Sequence, residues 1–143
     1  MLRHVATTLL LLIACLQYAS PVLAQIALVT AADGPIRSLD RDQAEQLYLG
    51  RLSALSDGTP VRLLDLPNGE VRDNFYLALI GKNGPQTRAY WSRMVFTGRT
   101  RPPREVADVE ELQDLMGRDR NLIGYLPVTA LSPALRVLLM VAD

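Results

Sequence analysis

The chain has 143 residues, 49% of them hydrophobic, with 15 basic side chains against 15 acidic ones and no formal net charge. That size suits one domain built on a single core. A neutral chain has no overall field with which to hold a nucleic acid or an anionic membrane, so nucleic acid is not an expected partner.

Residues 1–24 read as a secretory signal peptide. Arg3 precedes an apolar run from Leu9 to Ile13, Pro21 breaks any helix, and Val22-Leu23-Ala24 forms a cleavage site. The run is too short for a membrane span, which needs about 20 apolar residues. Leu12-Ile13-Ala14-Cys15 offers an alternative, a lipobox in which Cys15 is lipidated and anchors the protein to a membrane. The better-formed site after Ala24 favours release into the periplasm, leaving residues 25–143 as one domain. His4 and Cys15 are the single histidine and the single cysteine. Both lie in the leader, so the mature chain has no imidazole base, thiolate, disulfide or His/Cys metal site. The expectation is a protein that is not an enzyme and carries no cofactor or metal.

From Gln25 onward, turn signals and periodicity divide the chain. Ile26 to Ala31 is an apolar run ending at Asp33-Gly34-Pro35, a buried strand followed by a turn. Asp40 and Gln43 have the spacing of a capping box, Ala44, Leu47 and Tyr48 share a helical face, and Gly50 stops the helix. Val61 to Leu66 reads as a strand. Pro67-Asn68-Gly69 is a turn, and Val71, Phe75, Ala78 and Leu79 mark a helix stopped by Gly81. Asn83-Gly84-Pro85 opens a third helix with an apolar stripe at Trp91, Met94 and Val95. Thr97 to Pro103 is an irregular basic loop. Asp108 and Glu111 suggest a second capping box, for a helix ending near Gly117. Leu122 to Leu126 and Leu135 to Val141 complete the set of strands. Strands alternating with helices predict an α/β domain, a small mixed sheet of about four strands flanked by helices.

Three groups of residues bear on function. Asn68-Gly69 before a helix, with Arg72 one turn inside, could cradle a phosphate on backbone amides; the bland alternative is a turn and N-cap with Glu70 complementing the helix dipole. The loop from Thr97 to Arg104 holds Arg99, Arg101 and Arg104 and is stiffened by Pro102 and Pro103. Guanidinium forks suit anions, although pairing with Glu105 or Asp108 is the commoner arrangement. Trp91 and Tyr125 read as core aromatics, and Glu110 and Glu111 point apart on their helix, so they form no acid–base pair.

In order along the chain, Tyr48-Leu49-Gly50-Arg51, Arg72-Asp73-Asn74-Phe75, Tyr90-Trp91, Met94 to Arg99, Pro102 to Val106 and Ile123 to Pro127 resemble the phosphate-type solute-binding proteins of ABC importers, in the type 2 periplasmic-binding-protein superfamily. The resemblance runs from Ile26 to the end and implies one receptor lobe that binds without reacting. It implies an exported solute-binding-like protein taking phosphate or another small anion for import, with Asn68, Gly69, Arg72 and Arg99 as ligand-binding residues. The chain departs from that family in length and in motif. Where the family has Arg followed by Ser-Gly-Thr, this sequence has Asp65, Asn68-Gly69 and Glu70. The departures support an alternative: an envelope interaction or accessory module, partnered by a membrane protein or a second copy, that keeps the fold without the ligand site.

Overall fold

The computed structural model describes residues 25–142. The leader at 1–24, with both its cleavage reading and its Cys15 alternative, lies outside the described residues. In chain order the elements are β1 (Ile26–Ala31), α1 (Arg41–Tyr48), β2 (Arg62–Asp65), α2 (Glu70–Ile80), α3 (Gly84–Phe96), β3 (Arg104–Glu105), α4 (Val109–Arg118), β4 (Leu122–Pro127), a 3-10 turn (Val128–Ala130) and β5 (Leu135–Ala142). The sheet runs β3-β2-β4-β1-β5. β2 is parallel to β3 and β4, whereas β1 is antiparallel to β4 and β5, so the sheet is mixed.

β4 shows how sequence period becomes layering. Successive strand residues face opposite sides. Gly124 faces α4, where an added Cβ would stand 2.9 Å from both Leu112 Cδ1 and Met116 Cε. Tyr125, one residue on, faces α2 and stacks on Phe75 with ring centroids 3.6 Å apart. One helix therefore packs close on a glycine while the other packs on an aromatic. β1, central and covered on both faces, is buried along its whole length, which is why its sequence is a continuous apolar run rather than an alternation.

The caps behave largely as their residue types demand. Asp40 and Gln43 form a full capping box at α1, as Asn83 and Gln86 do at α3. α2 ends on Gly81 in the left-handed conformation at φ +68°. At α4 only half of the expected box forms. Asp108 Oδ1 accepts the Glu111 amide at 2.8 Å, but the Glu111 carboxylate accepts from Ala107 N–H at 2.5 Å rather than from Asp108. α4 ends at Arg118, one residue past Gly117, as its spacing predicts.

The sheet has five strands where about four were expected. β3 is two residues long, polar and exposed, so neither apolar content nor alternation marks it. The α3 stripe is also narrower than its spacing suggests: Trp91 is buried, Met94 half-buried and Val95 exposed. α3 packs on α2 rather than on the sheet, so only a thin seam of it is covered.

Candidate functional site

The chemistry of the domain gathers where β2 gives way to α2. Asp65, the last residue of β2, is buried with its side chain only 6% exposed. Arg72 and Tyr76 are four apart on α2, hence on one helical face, and both turn toward that carboxylate. Asp65 Oδ2 accepts from Arg72 Nε at 3.1 Å and from the Tyr76 hydroxyl at 3.0 Å. Its Oδ1 accepts from the Tyr125 hydroxyl at 2.5 Å. Tyr125 in turn accepts the Leu66 amide at 3.2 Å, and Tyr48 donates to the Leu64 carbonyl at 3.0 Å. The Arg72 guanidinium lies 5.0 Å above the Tyr76 ring and donates through Nη1 to Asn68 Oδ1 at 3.1 Å.

Every member of this network has a partner. The Asp65 carboxylate has three donors, one of them charged, which is what a buried anion needs to persist. Burial opposes the charge on Arg72, but the Asp65 carboxylate outweighs it and holds the guanidinium above its usual range. Burial first, then the neighbouring Asp65 charge, push the hydroxyls of Tyr48, Tyr76 and Tyr125 up, so all three stay protonated at ordinary pH. A saturated carboxylate beside protonated tyrosines is a structural clasp, not a poised acid and base. Sequence gave no sign that Asp65 is desolvated; its partners stand 7, 11 and 60 residues away, and the nearest available signal was Arg72 and Tyr76 one turn apart after it.

Of the four sequence-predicted ligand residues, Asn68, Gly69 and Arg72 line one open hollow of about 530 Å³ at the start of α2; Arg99 is not among its walls. Arg99 is exposed in the turn after α3. Gly69 is the N-cap of α2 and supplies no side-chain acceptor, so the first amides of the helix lack a side-chain cap. Glu70, Asp108 and Glu110 also line this hollow. A helix terminus attracts an exposed anion by roughly 0.3–1 kcal/mol, and three carboxylates around it oppose that attraction. Arg72, the cation placed to help, is turned inward onto Asp65.

The basic loop also differs from its commoner reading. None of Arg99, Arg101 and Arg104 forms an ion pair with Glu105 or Asp108; the ion pairs among the described residues join Arg41 to Glu45, Arg62 to Asp119, Arg72 to Asp65 and Arg120 to Asp33. Trp91 is buried at 7% exposure, as expected, yet it stands apart from the main core and its indole N–H has no acceptor. No group of three or more His, Cys, Asp or Glu side chains among the described residues could hold a metal ion, and no described helix is long and apolar enough to cross a membrane.

The domain is thus a mixed five-stranded sheet with helices on both faces, its pairing switching from parallel to antiparallel between β4 and β1. Two solved structures share this fold. One is described as a phosphate ABC transporter substrate-binding protein from Clostridium perfringens with bound phosphate. It matches at a TM-score of 0.62 and 18% identity, over 80% of this chain and 44% of its own. The other, an ABC-type phosphate transport receptor from Vibrio cholerae, matches at a TM-score of 0.53 and 11% identity, over 80% of this chain and 45% of its own. The chain thus spans less than half the length of either receptor. No protein-family model matches the sequence, and no curated protein is similar to it.

Proposed function

We propose that this chain is a receptor-type binding module of the periplasm, exported by residues 1–24, that grips a partner non-covalently and transforms nothing. The observation that carries the reading is the Asp65–Arg72 clasp. Where an anion receptor needs a free cation beside open amides, this chain supplies its own buried carboxylate, and acidic residues ring the helix terminus. The module keeps the solute-receptor lobe and engages either a membrane protein of the envelope or a second copy of itself.

A second reading has one observation in its favour. The uncapped amides at Gly69 leave donors for a small anion such as phosphate, held for ABC-type import by Asn68, Gly69 and Arg72, with Arg99 brought over from its loop. Thermal denaturation in phosphate, sulfate and small carboxylates separates the two. A ligand at 100 times its Kd stabilises by about 2.7 kcal/mol, roughly 10 °C for a domain of this size. The module reading expects no shift with any of them and recovery of a protein partner by cross-linking in the envelope. A saturable shift with phosphate that grows in Glu70→Gln establishes the receptor reading instead. Mass spectrometry of the exported protein distinguishes a start at Gln25 from lipidation at Cys15.

A further inference from the structure

β3 pairs with β2 only at Leu64 and Asp65, through Arg104 and Glu105. Beside the first half of β2 the chain instead runs through Pro102 and Pro103, which have no amide hydrogen to extend the ladder. The edge therefore opens into a hollow of about 620 Å³, within the roughly 300–1,000 Å³ typical of small-molecule sites. It lies at the opposite end of β2 from the α2 terminus.

The walls have two characters. Leu47 of α1, Leu63 and Leu64 of β2, Leu115 of α4 and Leu122 of β4 supply apolar surface. Arg101, Arg104 and Arg118 line the same hollow, all exposed and none in an ion pair among the described residues. One carboxylate, Asp119, lines it as well, and it is already paired with Arg62. Free guanidiniums over apolar walls complement a molecule with one anionic end and a hydrocarbon body: the fork takes the head by charge-assisted bonds, and the leucines take the body from water.

We propose that this hollow is a binding site for a small amphipathic anion, an apolar body bearing a single carboxylate or phosphate head. The site does not depend on the α2 terminus or on the function proposed above.

Trp91, the one tryptophan in the sequence, lines the hollow and reports on it by fluorescence. The full-length mature protein is titrated with decanoate, decan-1-ol, inorganic phosphate and phosphatidylglycerol vesicles, with calorimetry in parallel. Decanoate is expected to bind saturably and at least 10-fold more tightly than decanol. Inorganic phosphate is expected to leave Trp91 unchanged. Arg101→Gln with Arg104→Gln is expected to weaken decanoate at least 10-fold with an unchanged thermal midpoint, while Arg51→Gln, which does not line the hollow, has no effect. Decanol binding as tightly as decanoate overturns the proposal, as does an unchanged affinity in the double variant. Response to phosphate alone overturns the amphipathic requirement, and response to vesicles alone replaces a free ligand with a membrane surface.

Discussion

Replacing Asp65 by asparagine keeps the shape of the side chain and removes its charge. Arg72, with only 10% of its side chain exposed, is then left as a cation without its counter-ion. Breaking a buried pair from one side costs about 3–5 kcal/mol, because the remaining charge stays desolvated. The tyrosines add to the loss: Tyr76 and Tyr125 both donate to Asp65, and an amide can accept on its oxygen but turns donors of its own toward the second hydroxyl. Against a net stability of about 5–15 kcal/mol this is a large fraction, roughly 10–20 °C in Tm. Urea unfolding followed by circular dichroism measures it. The companion variant Arg72→Met has its own cost, since it leaves Asp65 with two neutral donors. Joining both changes removes the two charges together, and the double variant is expected to lose clearly less than the sum of the singles. Additive losses, or a loss below 1 kcal/mol for Asp65→Asn alone, would falsify the account of the clasp as a coupled buried pair.

Three further outcomes are expected. Unfolded tyrosines ionise near pH 10, whereas burial and the Asp65 charge keep Tyr48, Tyr76 and Tyr125 protonated above that. Stability is therefore complete below about pH 10 and falls as pH rises, by up to about 1.4 kcal/mol per pH unit for each tyrosine; urea midpoints that stay level from pH 9 to 11 contradict this. Tyr125→Phe deletes the hydroxyl that joins Asp65 to the Leu66 amide, leaves that amide unpaired and is expected to cost about 1–3 kcal/mol, while reducing the alkaline slope by one tyrosine's share. Gly50→Ala combines φ +71° with a Cβ placed 2.8 Å from Thr100 Cγ2 and 2.9 Å from Trp91 Cη2. It is expected to lose about 2–4 kcal/mol, against about 1 kcal/mol for Gly58→Ala, which shares the positive φ but points into open space. Equal losses at the two glycines rule out the steric part of that argument.

Much of the fold was legible because it rests on local rules. Asp40 with Gln43, Gly81 after Ile80 and the apolar runs at Ile26 and Leu122 each name their element within a few residues. β3 was not legible: two exposed residues, held by β2 alone, leave no pattern. The site was readable only in outline. Asn68, Gly69 and Arg72 do share a hollow, but the partner that decides the role of Arg72 is a carboxylate at the far end of a turn, anchored from β4 by Tyr125. Such a contact is a property of the packed sheet and has no spacing of its own. The arginines of the loop were expected to find Glu105 or Asp108, yet the Asp108 carboxylate is already occupied in capping α4.

The pairing of Ile26 with Ala142 sets an order of events. β1 stays unfinished on one side until β5, far along the chain, lies down beside it. Closing so long a loop is slow, so the centre of the sheet is completed late in folding. A sheet built this way gains its last neighbour through the longest closure in the domain.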